Sequence, residues 1–197
     1  MDGNSYKTVY IGTQQWIGEN LKTSKYNDGT EIPNTTDNTQ WQNNTTGAWA
    51  YYNSDAANNA NYGKLYNWYA VSPTTNGNKN VCLTGWHVPT DAEWTVLTDY
   101  LGGESVAGGK MKVAVGTSWY DHPYAGATNE SLFTGFPGGY RSNTSGYFGF
   151  RSDGAWWSTT ENNTSDAWDR SLSYEYGSVY RGYNLKKYGF SVRCLRD

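Results

Sequence analysis

Residues 167–197 read AWDRSLSYEYGSVYRGYNLKKYGFSVRCLRD, and residues of two kinds alternate along this stretch. Successive side chains of a β-strand point to opposite faces of the sheet, so one kind can pack inward while the other faces solvent. The set with the character of a framework comprises Trp168, Arg170, Leu172, Tyr174, Val179 and Arg181. The alternation therefore predicts strands with one buried and one exposed face.

The second set consists of residue types that paratopes use, namely Tyr, Ser, Gly, Asn and Asp, which combine large amphipathic contacts with adaptable hydrogen bonds. The predicted ligand-binding residues are Asp169, Ser171, Ser173, Tyr176, Ser178, Tyr180, Gly182, Tyr183, Asn184, Leu185 and Tyr188. Among them, Tyr176, Tyr180, Tyr183 and Leu185 are expected side by side in solvent, with Asp169, Ser171 and Ser173 at the rim. The alternative is an ordinary half-buried strand pair with a polar outer face.

The composition of the chain predicts a single folded, loop-rich domain over residues 1–197. A length of 197 residues allows one sizeable core. Ten Trp and 18 Tyr predict aromatic slabs in that core, whose indole N–H groups need partners. A net charge of -3 provides no basic surface for a phosphate backbone, which argues against nucleic acid as a partner.

The cysteines and the termini bear on the cellular compartment. No apolar run is long enough to span a bilayer, and residues 1–4 lack the features of a signal peptide. Either the protein is not exported or the sequence begins after a removed leader. Cys82 and Cys194 are the only cysteines, and a pair in a chain of this composition favours an oxidising location, at the cell surface or outside the cell. The alternative is two buried free thiols.

Local patterns predict one hairpin and two helices. Residues 8–12 and 14–17 have β-branched and aromatic residues on both sides of a Gly-containing turn, which indicates a hairpin. Residues 27–62 show no periodicity and predict a long irregular segment. Apolar residues in 65–71 are compatible with a short helix.

The second helix is predicted over residues 90–101. Thr90 and Glu93 have the spacing of a capping box, and Gly102-Gly103 would end the helix. Trp94, Leu97 and Leu101 then share one face, which is predicted to be buried. From residue 104 onward the sequence suggests short strands and Gly-rich turns without a further helix. The predicted fold class is α+β, with two helices on a mostly antiparallel sheet and long loops.

Five segments together resemble the Fibrobacter succinogenes major paralogous domain. They cover nearly the whole chain in order: 8–29 (TVYIGTQQWIGENLKTSKYNDG), 63–70 (GKLYNWYA), 82–94 (CLTGWHVPTDAEW), 156–161 (WWSTTE) and 189–197 (GFSVRCLRD). That family is similar to the formylglycine-generating sulfatase-modifying group, which shares the Gly-Trp-x-x-Pro-Thr-x-x-Glu-Trp pattern of residues 85–94. Residues 138–142 and 189–193 are similar to two further core segments of the group.

The resemblance implies a C-type-lectin-like fold of the formylglycine-generating-enzyme type. Such a fold pairs the N- and C-terminal strands and has a loop-rich ligand face, here at about 140–188. It also brings Cys82 and Cys194 close enough for a disulfide. The aromatic residues of the framework segments are expected in the core: Trp86, Trp94, Trp156, Trp157 and Phe190.

Variable proteins of diversity-generating retroelements share this fold, which suggests a source for the Tyr/Ser/Asn/Gly-rich positions. An AAC codon altered at its adenines can encode Asn, Asp, Ser, Tyr, Gly or Leu, the types found at the predicted binding residues. Glu175, Lys186 and Lys187 do not follow from such a codon, so the match is partial. Chance low complexity is the alternative.

The residues give little support to catalysis. Formylglycine-generating enzymes use a thiol pair in the C-terminal part, and iron-dependent relatives use a His cluster, whereas this chain has one cysteine there and only His87 and His122. Metal catalysis would need three protein ligands, so no metal or other cofactor is expected. Asp and Asn oxygens in the loops are ligand types that Ca²⁺ uses, but no Ca²⁺-binding motif such as an EF-hand spacing is present. The carboxyl groups considered as acids or bases are Asp153, Glu161 and Asp166.

Three functions follow from these observations. The first is a non-enzymatic binding module at a bacterial or phage surface that recognises a protein or a glycan. The second is a degenerate or unrecognised enzyme of the formylglycine-generating type. The third is a structural domain of a larger envelope protein. The missing thiol pair and His cluster favour the first, and the sequence leaves the ligand and the oligomeric state open.

Overall fold

The computed structural model describes residues 2–114, 118–120 and 126–197. Five α-helices in this part of the chain are Asn38–Asn43 (α1), Asn59–Tyr62 (α2), Trp68–Val71 (α3), Asp91–Tyr100 (α4) and Glu104–Met111 (α5). The strands are Thr8–Ile11 (β1), Gln14–Ile17 (β2), Trp49–Ala50 (β3), Leu65–Tyr66 (β4), Trp86–His87 (β5), Gly138–Arg141 (β6), Tyr147–Phe150 (β7), Asp153–Glu161 (β8), Asp166–Ser173 (β9), Val179–Leu185 (β10) and Leu195–Arg196 (β11).

These strands form three sheets, with orders β1-β2-β11-β5, β10-β9-β8-β6-β7 and β3-β4. Strands β6 and β8 pair in parallel through Gly139 and Gly154, and the other paired strands are antiparallel. The α+β class and the mostly antiparallel sheet are thus confirmed. The predicted pairing of N- and C-terminal strands is confirmed by Leu195 of β11, which pairs with Trp16 of β2.

The two strongest local predictions are confirmed. Strands β1 and β2 form the hairpin, with Ile11 opposite Gln14. Helix α4 begins with the capping box, because the Thr90 hydroxyl accepts from the Glu93 N–H and the Glu93 carboxylate accepts from the Thr90 N–H. Of the three residues expected on its inner face, Trp94, Leu97 and Leu101, none is more than 5% exposed.

The prediction that no helix follows residue 104 is wrong. Helix α5 begins directly after Gly103, and it contains Gly108 and Gly109, which weaken its sequence signal because glycine is a poor helix former. A tertiary contact explains Gly108. A Cβ on Gly108 would lie 2.2 Å from the Ser178 carbonyl oxygen, and the Gly109 N–H donates to the Gly177 carbonyl at 2.9 Å. Close approach of the helix to the turn after β9 therefore requires glycine.

The predictions for two other segments were incomplete. The segment 27–62, expected to be irregular, contains α1, α2 and the short 3₁₀ turns Tyr52–Ser54 and Ala56–Asn58. Helix α1 has Asp37 as its N-cap, whose carboxylate accepts from the Gln40 N–H. The helix expected in 65–71 is shorter, because its first residues form β4.

The core is rich in aromatic residues, as predicted. The five residues expected there are buried: Trp86, Trp94, Trp156, Trp157 and Phe190. A disulfide joins Cys82 and Cys194, whose Cα atoms lie 6.0 Å apart, and both residues are fully buried. This bond ties the segment before α4 to the segment that leads into β11, and it excludes the alternative of two free thiols.

The five-stranded sheet has one face against helices and one face that is only partly covered. Trp156 and Leu172 belong to the aromatic cluster that contains Trp94 of α4, so they define the helix side. Trp157 points to the other side, where Phe190 covers it with ring centroids 4.4 Å apart. The C-terminal segment around Phe190 thus covers only part of this second face, and a cleft begins where that cover ends.

Candidate ligand-binding cleft

The register of β8, β9 and β10 decides which predicted residues can meet. Tyr180 lies opposite Ser171, Gly182 opposite Asp169, and Ala155 also opposite Ser171. Residues directly opposite one another in a ladder point to the same face. This face is the one that Phe190 partly covers. The strand pair therefore places part of the predicted set on one surface.

A cleft of about 230 Å³ opens on this face. Its lining residues are Tyr140, Asp153, Ala155, Asp169, Ser171, Tyr180, Asn184, Tyr188 and Phe190. Five of them belong to the eleven residues predicted to bind a ligand: Asp169, Ser171, Tyr180, Asn184 and Tyr188. We call this surface the β9/β10 cleft.

Asp169 is a buried carboxyl group in the wall of the β9/β10 cleft. It is 1% exposed, which corrects the prediction that it lies at a solvated rim. The Asn184 side-chain amide donates to Asp169 Oδ2 at 2.8 Å. Burial raises the pKa of Asp169 to about 6, against the smaller opposing effects of the Asn184 hydrogen bond and the positive charge of Arg170. The carboxyl group therefore titrates close to neutral pH, as groups in functional sites often do.

Asp153 is the second carboxyl group of the cleft. Its pKa is raised, first by burial and also by the charge of Glu175, although the Ser152 hydroxyl donates to it at 2.8 Å. In the ladder Asp153 lies opposite Ser173, whereas Asp169 lies opposite Trp157. The two positions are thus four residues apart along β8, or about 13 Å at the usual rise of a strand.

Three aromatic rings form one wall of the cleft. The ring centroids of Tyr140 and Tyr188 are 6.0 Å apart, those of Tyr140 and Phe190 are 6.1 Å apart, and those of Tyr188 and Phe190 are 5.8 Å apart. Tyr140 comes from β6, whereas the other two follow β10. The wall depends on the contact between these segments, because the Arg141 N–H donates to the Gly189 carbonyl at 2.9 Å.

Tyr180 stands at the open side of the cleft. Its side chain is 67% exposed, as predicted. The residue two positions on, Gly182, is buried, and a Cβ there would lie 2.5 Å from the Tyr180 ring. Gly182 was predicted to contribute a ligand contact. Its observed role is instead to leave room for the ring of Tyr180 above the strand.

Tyr183 and Leu185 lie on the opposite face of β10, which corrects the prediction of one continuous tyrosine surface. Both are exposed, but Tyr183 pairs with Trp168 across the ladder, on the helix side of the sheet. The ring centroids of Tyr183 and Trp168 lie 5.6 Å apart. Since Tyr180 and Tyr183 are separated by three residues, the alternation of a strand directs them to opposite sides.

Arg181 also belongs to the helix side, but it is not buried as the framework prediction required. Its guanidinium lies 3.7 Å from the centroid of the Trp168 ring and forms an ion pair with Asp91 at 2.8 Å. Arg170, which is fully buried, binds the other oxygen of Asp91 at 2.6 Å. Burial acts to raise the pKa of Asp91, yet the two guanidinium groups hold it below its ordinary value. This cluster fastens α4 to β9 and β10.

The remaining predicted residues lie at the ends of the strands. Tyr176 is exposed and Ser178 half-buried in the turn between β9 and β10, and Ser173 is half-buried at the end of β9. None of these three lines the β9/β10 cleft. Sequence reasoning missed Tyr140 and Ala155 as cleft residues and placed Phe190 only in the core. Their proximity depends on the parallel contact of β6 with β8, which leaves no local signal.

Other candidate sites from the sequence have structural partners. His87 Nδ1 lies 2.7 Å from Asp197 and Nε2 3.0 Å from Glu93, while His122 lies outside the described residues. Glu161 pairs with Lys186 at 3.1 Å. Asp166 accepts a hydrogen bond from the Asn163 side chain at 2.8 Å. Within residues 2–114, 118–120 and 126–197, no group of three or more His, Cys, Asp or Glu side chains is arranged to hold a metal ion.

Comparison with known proteins gives one match. The family model described as the Fibrobacter succinogenes major domain matches residues 9–196, nearly the full length of the chain. No curated protein and no solved structure matches this chain. In the described part of the chain, no helix combines the length and the apolar character needed to cross a membrane.

Proposed function

We propose that this chain, which belongs to the Fibrobacter succinogenes major domain family, is a non-enzymatic recognition protein. Its ligand occupies the β9/β10 cleft. The observation that carries this proposal is that five of eleven residues with a binding composition line one concave surface. A concave site with apolar walls and a few convergent polar groups is the usual form of a ligand site.

The chemistry of the cleft suits binding. Tyr180 offers an amphipathic ring at the open side of the cleft, Tyr188 offers one in its aromatic wall, and Asn184 and Ser171 offer hydrogen-bonding groups. Asp169 adds a buried carboxyl group, which costs stability when it ionises without a partner. A ligand that satisfies this carboxylate would offset that cost, so the residue is better explained by recognition than by folding.

Two features argue against catalysis at this place. The backbone positions of Asp153 and Asp169 are about 13 Å apart along the ladder, so the two carboxyl groups do not come from neighbouring positions of the sheet. Both cysteines are joined in the Cys82–Cys194 disulfide, so the thiol chemistry of formylglycine-generating enzymes has no free thiol to use. Binding without turnover is the function that fits both features.

We further assign the chain to the C-type-lectin-like group of folds and to the cell surface or the exterior of the cell. The mixed α+β architecture and the paired terminal strands support the fold assignment. The buried disulfide supports an oxidising compartment, because such bonds persist there and are rare in the cytosol. The Tyr/Ser/Asn/Gly-rich set in β9 and β10 supports diversification by a retroelement as the origin of the cleft's composition.

The test compares two tyrosine variants on arrays of peptides and glycans. Tyr180→Ser removes an exposed ring at the cleft, and Tyr183→Ser removes another exposed ring from the opposite face of the same strand. Wild type and Tyr183→Ser should capture the same ligands, whereas Tyr180→Ser should lose them. Equal capture by all three proteins would place binding elsewhere. Capture of nothing by the folded wild type would instead favour a structural domain of an envelope protein.

A further inference from the structure

We propose that the β9/β10 cleft receives one cationic side chain of a protein ligand, a lysine, with the Asp169 carboxylate as its counter-charge. The inference rests on the proposed function, since it names the chemical class that the same cleft selects. It differs from that proposal in requiring a positive charge on the ligand.

The charged side chains that line the cleft have one sign. Its described lining residues include the carboxyl groups of Asp153 and Asp169 and no basic side chain. The guanidinium of Arg170, the residue that follows Asp169, lies on the helix side of the sheet, where it is bound to Asp91. Glu175 adds negative charge near Asp153. The other titratable groups facing Asp169 across the cleft are the phenols of Tyr140, Tyr180 and Tyr188. Charge complementarity therefore favours a cation.

The carboxyl group of Asp169 has capacity for one more donor. Among the residues that the structure describes, Asn184 is the side chain that donates to it, and this bond uses Oδ2. The second oxygen, Oδ1, is left for a donor that enters from the cleft. An ammonium group carries three N–H donors and no acceptor, so it matches a carboxylate wall better than a hydroxyl does.

The aromatic wall suits the rest of a lysine side chain. Rings of Tyr140, Tyr188 and Phe190 stand about 6 Å apart and present both apolar surface and π faces. Methylene groups pack against such rings while the charged end reaches a polar group. An ammonium within about 6 Å of a ring centroid gains a cation–π attraction as well. The volume of about 230 Å³ lies below the usual range for whole small-molecule sites, which indicates a single side chain.

The position of the cleft favours a protein ligand over an amino sugar. Strand β10 is the outermost strand of its sheet, so in the described part of the chain no strand pairs with its outer backbone edge. An extended peptide can add to such an edge and direct alternate side chains towards the sheet face. A lysine on that peptide would then enter the cleft beside Tyr180.

The experiment measures binding of blocked amino acids to the whole chain by NMR titration. The probes are Nα-acetyl-lysine N-methylamide, its neutral analogue Nα-acetyl-norleucine N-methylamide, glucosamine and N-acetylglucosamine. At about pH 7.5 the blocked lysine should bind at least about tenfold more tightly than the norleucine analogue. At about pH 5 most of the Asp169 carboxyl is protonated, because its pKa is about 6, so the preference should fall towards parity.

Two aspartate variants assign the preference to a residue. Asp169→Asn should bind blocked lysine and norleucine equally. Asp166→Asn removes a carboxyl group from the same strand outside the cleft and should keep the wild-type preference. Retention of the fold is checked by near-ultraviolet circular dichroism of the buried tryptophans.

Each remaining outcome overturns the inference. Equal binding of lysine and norleucine by wild type would leave the cleft as a ligand site without charge selection, so the proposed function would stand while this inference fails. Tighter binding of glucosamine than of blocked lysine would make the ligand a glycan. Binding of none of the probes by wild type would exclude a lysine-selective cleft, and the array experiment with Tyr180→Ser would still decide on the proposed function.

Discussion

Replacing Asp169 by Asn should stabilise the protein at neutral pH. The folded state holds the Asp169 proton up to a pKa of about 6, whereas the group ionises near 3.8 when the chain is unfolded. A raised pKa gives a stability contribution that is fully present below the unfolded value and is lost as the pH rises through the folded value. The difference of about two units, at about 1.36 kcal/mol a unit, corresponds to about 3 kcal/mol. The Asn184 amide can still donate to the oxygen of an Asn side chain, so the variant keeps that bond.

Urea unfolding followed by tryptophan fluorescence measures this effect between about pH 4 and pH 7.5. The free energy of unfolding of Asp169→Asn should exceed that of wild type by an amount that grows with pH and levels off at about 3 kcal/mol above pH 6. Asp166→Asn controls for the loss of one negative charge from β9. A difference between Asp169→Asn and wild type that is constant across the whole pH range would refute the reasoning, because Asp169 would then ionise alike in both states.

Three further predictions concern the framework that supports the cleft. Trp94→Ala should lower the free energy of unfolding by about 3–5 kcal/mol, since the ring is fully buried, and an unchanged urea midpoint would contradict its place in the core. The double substitution Cys82→Ala and Cys194→Ala should cost up to about 4.7 kcal/mol, because the bond closes a loop with a sequence separation of 112, and equal stability of oxidised and reduced protein would contradict this. Burial lowers the pKa of His87, but hydrogen bonds to two carboxylates, one of them Asp197, leave it above its ordinary value. The contribution of His87 to the free energy of unfolding is therefore complete below about pH 6.5 and is lost at higher pH. The melting temperature of wild type should exceed that of His87→Gln by more at pH 5.5 than at pH 8. A difference that grows as the pH rises would contradict this prediction.

Features coded by short segments were predictable from the sequence. The hairpin β1–β2 has its turn glycine at Gly12, and α4 has its capping box and a three-residue apolar face. The burial of the core aromatic residues was also predictable, because such large apolar side chains are mostly found in the interior. The disulfide was predicted from the resemblance to a family, because a separation of 112 residues carries no local signal.

The cleft could be predicted only in part, because it depends on contacts between distant segments. Alternation separated the framework residues of β9 and β10 from their neighbours with the correct parity at most positions. It was misapplied at Tyr183 and Leu185, whose composition resembled the binding set although their parity matched the framework. The burial of Asp169 and the wall formed by Tyr140 depend on β6 and on the segment after β10, which reach the cleft through long-range pairing.

The predicted ligand-binding residues of β9 and β10 lie on two opposite faces of the sheet. Diversification of their codons would therefore have different effects on the two faces. Asp169, Ser171, Tyr180 and Asn184 share the cleft, so substitutions at these positions would alter one ligand site in concert. Substitutions at Gly182 would displace the Tyr180 ring from its place above the strand, so they would change the cleft without touching the ligand. The exposed residues on the other side of β10 adjoin the ion pairs of Asp91 and would leave the cleft unchanged. A natural set of variants selected for new ligands should therefore vary at the cleft positions more than at Tyr183 and Leu185, whereas equal variation on both faces would indicate a retroelement that alters codons regardless of where their side chains point.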